Sequence, residues 1–119
     1  MLETVRLGLE TSLSLTTELA LKEEFTAITA KCGKLIVIDF TASWCGPCKT
    51  IAPVFEQCSK DFPNAEFYKV DVDDLSDVAE QCGIRAMPTF IFYKNGQRID
   101  DLRGANTTEL KAKIKRHCS

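Results

Sequence analysis

The chain has 119 residues, 27% of them charged and 45% hydrophobic, and carries a formal net charge of -2 at neutral pH. That length is one domain's worth, enough to bury a core without metal or disulfide staples, and the near-balanced charge gives no electrostatic reason to expect nucleic acid as a partner. Six cysteines fall below the density of about 8–10% that marks small secreted disulfide scaffolds.

Residues 1–14 read as a short N-terminal extension ahead of a domain spanning 15–119. Val5, Leu7 and Leu9 fit a strand and Leu2, Val5, Leu9 and Leu13 fit a helix, so periodicity leaves the extension unassigned. Glu3 and Glu10 break any secretory or transit-peptide pattern, and no stretch approaches transmembrane length. With Cys32, Cys58, Cys82 and Cys118 scattered as free thiols are in a reducing compartment, a cytoplasmic protein away from membranes is expected.

A weak strand near Leu15 to Leu19 precedes a helix carrying Leu21, Phe25 and Ile28. "LIVIDF", Leu35 to Phe40, is a continuous apolar run rich in β-branched residues, suited to a strand covered on both faces. From Pro47 to about Asp61 the apolar Ile51, Val54, Phe55 and Cys58 form a helical stripe, with Pro53 predicting a kink. "EFYKVDV" alternates as a strand does, and a short acid-led helix follows from about Asp74 to Gln81, stopped by Gly83. "TFIFYKNGQRIDDLRG" supplies two strands about an Asn95-Gly96 turn. The last helix has Asn106 as N-cap with Glu109 three residues on, Leu110 and Ile114 facing inward, and Lys111, Lys113, Lys115 and Arg116 as a solvated face. The order β-α-β-α-β-α-β-β-α predicts an α/β fold, a mixed sheet with helices on both faces.

The chemistry concentrates in "FTASWCGPCK", Phe40 to Lys49. Cys45 falls at the turn between a central strand and a helix, and Cys48 lies one turn further in. Unpaired N–H groups and the positive end of the helix dipole favour a thiolate there, so Cys45 is expected to attack and Cys48 to resolve the mixed disulfide. Gly46 permits the tight turn and Pro47 fixes the start of the helix. The rival for a CxxC pair is half of a zinc site, but a closed site needs four ligands, and this chain has no second CxxC and a single histidine, His117. Asp39 interrupts the apolar strand, where an unpaired carboxylate is costly or keeps its proton, unless it faces a loop or an edge.

"WCGPCK" on a strand-to-helix turn, followed by "AMPTF" and "NG", resembles the thioredoxin family from about Leu15 to the C-terminus. The resemblance implies a central mixed sheet of five strands flanked by four helices, and protein-disulfide reductase activity with no bound cofactor. Reducing equivalents would come from NADPH through thioredoxin reductase. It implies that Asp39 takes a proton from Cys48, with Lys69 as its charge partner, and that the peptide between Met87 and Pro88 is cis and faces the dithiol. Trp44, Gly46, Pro47, Val72, Met87, Pro88, Gly104 and Ala105 would form a shallow apolar surface for substrate backbone, the Met87 main chain pairing with it. Partners of such a monomer would include disulfide-containing peroxiredoxins, methionine sulfoxide reductases and ribonucleotide reductase. Proline between the cysteines favours reduction over the oxidising and isomerising relatives, which tend to have histidine there. A redox-gated binding module is the alternative.

Two positions depart from the family pattern. Thr41 stands where some members have tryptophan, leaving Trp44 as the only indole, and Arg103 puts a cation at the site rim. Cys32, Cys58 and Cys82 read as small apolar filler, while Cys118 is less constrained near the terminus; Cys82 and Cys118 are also candidate regulatory thiols.

Overall fold

Strand β2 (Leu35–Thr41) is the axis of the structure: six of its seven residues are buried, so its apolar run has protein on both faces. The computed structural model describes residues 15–118; the expected extension, 1–14, lies outside them. Around β2 the chain forms β1 (Thr16–Glu18), α1 (Lys22–Thr29), α2 (Gly46–Asp61), β3 (Ala65–Asp71), α3 (Ser76–Gln81), β4 (Thr89–Lys94), β5 (Gln97–Arg103) and α4 (Thr107–Cys118). The sheet order is β1-β3-β2-β4-β5. β1 and β2 each pair in parallel with β3, whereas β2–β4 and β4–β5 are antiparallel. The helical crossovers α1 and α2 allow the parallel neighbours, and the Asn95-Gly96 turn, with both residues at positive φ (54° and 80°), closes the β4–β5 hairpin.

Alternation along β2 divides the core. Leu35 and Val37 point to Ile51 and Phe55 of α2 and to Leu110 and Ile114 of α4. Ile36, Ile38 and Phe40 point the other way, to Phe25 and Ile28 of α1 and Val78 of α3. Asp39 shares the face of Leu35 and Val37, which is the face beneath α2.

Local hydrogen bonds shift several boundaries. Leu21 is the N-cap of α1 and 56% exposed rather than part of the inward stripe; Glu24 Oε1 accepts the amides of Ala20 and Leu21 at 2.9 and 3.0 Å and starts the helix there. Helix α3 begins at Ser76, not Asp74, because Asp71 takes the amide of Asp73 on its carboxylate and those of Asp74 and Leu75 on its carbonyl. Helix α2 runs on through Pro53. Asn106 Oδ1 accepts the Glu109 amide at 3.0 Å, capping α4.

The basic face of α4 is only partly solvated. Lys113 turns inward and donates to Asp100 Oδ1 of β5 at 2.8 Å, while His117 Nε2 lies 2.8 Å from the other oxygen of the same carboxylate. Partial burial acts to raise the Asp100 pKa, but the hydrogen bonds from Lys113 and His117 outweigh it and bring the group down from 3.8 to about 2. A depressed acid stabilises the fold above its unfolded pKa and loses that contribution as pH falls through the folded value. Asp100→Asn is therefore expected to cost about 1–3 kcal/mol near pH 7. In urea unfolding the difference from the parent should shrink between pH 4 and 2; an equal loss at pH 2.5 and pH 7 would show that the clasp is not electrostatic.

Candidate active site

The dithiol sits where the buried end of β2 hands over to α2. Cys45 is the N-cap of α2 in an extended conformation, with Gly46 and Pro47 in the first turn. Its Sγ accepts the amide of Cys48 at 3.1 Å, so the sulfur occupies the place that a serine or aspartate oxygen takes in an ordinary cap. That amide and the positive end of the helix both favour negative charge on Cys45 once the pair is reduced. The two sulfurs are bonded to each other, with Cα atoms 5.3 Å apart. Both cysteine residues are buried, Cys45 at 5% exposure and Cys48 at 3%, while Gly46 and Pro47 between them are exposed.

The rim comes from loops at the same end of the sheet. The Met87–Pro88 peptide is cis, and Cys45 Sγ lies 3.7 Å from the Met87 carbonyl oxygen. Val72 and Met87 pack on the small cluster of Ala42, Cys45 and Cys48. Gly104, at φ +97°, donates its amide to the Pro88 carbonyl at 2.8 Å, which ties the end of β5 to the cis-proline loop. Ala105 is exposed beside it, as is Arg103. Trp44 is 64% exposed, and its indole Nε1 donates to Asp73 Oδ2 at 2.9 Å. Sequence reasoning missed Asp73, which falls between the expected strand and helix and meets its indole partner 29 residues away only in the folded chain.

Asp39 lies under α2 with 2% exposure, and its Oδ1 has no hydrogen-bond partner among the described residues. Burial pushes the carboxyl up from 3.8 to about 7, with the Lys69 ammonium pulling the other way. Lys69 is the register partner of Asp39 across β2 and β3, yet its hydrogen bond goes to Glu56 Oε2 of α2 at 3.3 Å. Next to this group a cavity of about 220 Å³ is lined by Cys48, Ala52 and Lys69, together with Thr41, Asp71 and Glu18. Cys48, though buried, forms part of the wall of this cavity.

The other thiols divide by environment. Cys58 is buried in the α2 core, where desolvation raises its pKa. Cys32 is exposed after α1, contrary to the expectation of buried filler, because its side chain follows the helix rather than belonging to its stripe. Cys82 is half-buried, its sulfur 3.7 Å from the Tyr93 hydroxyl. Cys118 ends α4 and packs on the core instead of standing free. Among the described residues no group of three or more His, Cys, Asp or Glu side chains could hold a metal ion.

A raised acid destabilises the folded state as pH climbs, because the native form binds more protons than the unfolded chain between the two pKa values. For Asp39, from 3.8 to about 7, the cost is nearly complete above pH 8 and amounts to about 4 kcal/mol. Asp39→Asn in the oxidised protein should therefore be more stable than the parent at pH 8 and nearly equal at pH 4, as measured by guanidinium unfolding. A parallel offset at both pH values would exclude a buried ionisation as the cause.

The thioredoxin family model matches residues 16–116. A thioredoxin of Ictalurus punctatus is 56% identical over 96 residues, covering 78% of this chain and 90% of the relative. Thioredoxin H4 of Arabidopsis thaliana is 58% identical over 85 residues, 71% of each chain. Among solved structures, a thioredoxin of Nicotiana alata superimposes with a TM-score of 0.85 at 38% identity, covering 89% of this chain and 95% of that one. The Malassezia sympodialis thioredoxin gives 0.83 at 45% identity, covering 89% and 93%. The chain belongs to the thioredoxin family and is a protein-disulfide oxidoreductase built on the Cys45–Cys48 pair.

Proposed function

We propose that the chain reduces protein disulfides with Cys45 as nucleophile, Cys48 as resolving thiol and Asp39 as the group that takes the Cys48 proton. The observation that carries this reading is the Cys45 sulfur in the N-cap position, accepting the Cys48 amide. In the first step the Cys45 thiolate attacks one sulfur of the substrate disulfide, forming a mixed disulfide and expelling a substrate thiolate. Cys48 then gives its proton to the Asp39 carboxylate and attacks the Cys45 sulfur. The second substrate thiolate leaves, and the internal bridge holds the two electrons' worth of oxidation. A carboxyl raised to about 7 is half ionised at neutral pH, and so accepts a proton and releases it with little driving force in either direction.

Trp44, Gly46, Pro47, Val72, Met87, Pro88, Gly104 and Ala105 form the surface on which a substrate strand lies, the Met87 main chain pairing with it. A shallow apolar patch with few side-chain-specific features suits backbone recognition of many clients. Lys69 tunes Asp39 from β3. NADPH through a flavoprotein thioredoxin reductase returns the electrons, and peroxiredoxins, methionine sulfoxide reductases and ribonucleotide reductase are the expected acceptors. One structural neighbour comes from work on thiol resolution in a yeast mitochondrial peroxiredoxin via glutathione and thioredoxin systems, which supports that client class. Residues 15–119 form the catalytic domain, with 1–14 as an extension, and the protein works as a cytoplasmic monomer. No helix among the described residues is long and apolar enough to cross a membrane. Cys82 and Cys118 are the candidate regulatory thiols, although both are half-buried and Cys32 is the more exposed.

The test is a trap. Cys48→Ser should accumulate mixed disulfides through Cys45 with oxidised client proteins, while Cys45→Ser should accumulate none and lose NADPH-coupled insulin reduction by at least about 10³-fold. Equal trapping by both variants would overturn the assignment of roles, and insulin isomerisation without reductase coupling would overturn the direction. In the reduced parent, iodoacetamide should label Cys45 well below pH 8, where an ordinary thiol stays largely protonated.

A further inference from the structure

Lys69 is the register partner of one carboxylate, Asp39, and its ammonium bonds another, Glu56. Asp39 and Lys69 are directly opposed on β2 and β3 and share the sheet face beneath α2. The Asp39 Oδ1 is buried and has no hydrogen-bond partner among the described residues, while Lys69 Nζ donates 3.3 Å away to Glu56 Oε2. Along α2, Cys48, Ala52 and Glu56 follow at intervals of four residues, so they run down one side of the helix. The small Ala52 leaves the cavity of about 220 Å³ open between the resolving cysteine and the ion pair.

We propose that Glu56 is a positioning residue for proton transfer at Cys48: its carboxylate anchors the Lys69 ammonium on α2 and so withholds it from Asp39. This rests on the reading of Asp39 given above. A lysine in full contact with Asp39 would hold the carboxylate ionised and make it a weak base for a thiol; a lysine removed entirely would leave burial unopposed and keep the acid protonated. Glu56 sets the intermediate position. The other charged groups around the cavity are Glu18 of β1, Asp71 of β3 and Lys49 of α2, and β4 places the apolar Phe90 opposite Asp39. Only Lys69 among them acts appreciably on the Asp39 carboxyl. Glu56, itself half exposed, is thus the group that decides where that one cation rests.

The experiment uses the full chain in parent, Glu56→Gln, Glu56→Asp, Lys69→Gln, Glu56→Gln/Lys69→Gln and Asp39→Asn forms. The Asp39 carboxyl is titrated by carbon NMR in the oxidised protein. Reduced protein is mixed with a chromogenic aromatic disulfide, which releases one thiol on Cys45 attack and a second on Cys48 attack, so the second phase reads resolution. Glu56→Gln should move both midpoints to lower pH by about one unit. Glu56→Asp, which keeps the charge, should restore most of the parent value, and Lys69→Gln should move both midpoints upward. In the Lys69→Gln background the Glu56→Gln change should nearly vanish. An unmoved Asp39 midpoint in Glu56→Gln, or a shift that persists undiminished without Lys69, overturns the proposal. A second phase with an unchanged pH profile in Asp39→Asn overturns the Asp39 reading instead, and the NMR titration still decides where Lys69 rests.

Discussion

The hydrogen bond from the Cys48 amide to the Cys45 sulfur is the contact on which the rest of the site depends. A helix front leaves amides without intrahelical partners, and here one of them is satisfied by sulfur instead of oxygen. The same interaction therefore finishes the helix and biases a thiol toward its reactive form. For the sulfur to stay there, the strand before it must not move. β2 achieves that by lying in the middle of five strands with six residues buried. The apolar core is thus a condition of the chemistry as well as of the fold.

One residue of that strand works against stability. Asp39 is buried, with an oxygen that no described residue hydrogen-bonds, in a layer that otherwise holds Leu35, Val37, Phe55 and Phe90. Such a group persists in a folded chain because the surrounding contacts over-determine its position. Its neighbours moderate the cost in two ways. Lys69 lies on the adjacent strand and lowers the penalty for ionisation, and the cavity beside Cys48 and Lys69 has room for solvent. On β5, two strands away in the same sheet, the Asp100 carboxylate, bonded by Lys113 and close to His117, shows the ordinary arrangement of a paired acid. The two aspartates shift in opposite directions for physical reasons: one is desolvated with the neighbouring lysine bonded elsewhere, the other has its charge directly hydrogen-bonded.

Elements with strong periodicity were legible. The β-branched run of β2, the Ile51–Phe55–Cys58 stripe of α2 and the Asn95-Gly96 turn each state their structure locally, since burial pattern and left-handed φ depend on residues close in the chain. Boundaries governed by a single side chain were not. Glu24 sets the start of α1 and Asp71 delays α3, and both act through hydrogen bonds that composition does not reveal. Lys113 looked like one more solvated cation because Asp100 is distant in sequence and meets it only when α4 folds onto β5.

Cys45, Cys48 and Asp39 could be picked from sequence because each is anomalous in its place: thiols flanking Gly-Pro and an acid inside an apolar run. Pro88 was singled out only by the family resemblance, since a proline at a strand entry is ordinary. The amino-acid sequence alone determined the order of elements, the motif and the residues that carry charge or sulfur, since these follow from short-range pattern. Only the tertiary structure decided that Trp44 bonds Asp73, that Met87 meets Cys45, and that Lys69 bonds Glu56 rather than Asp39. Those pairings join residues 13 to 42 positions apart, and the energy of such a contact depends on distance and desolvation, which exist only once the chain is packed.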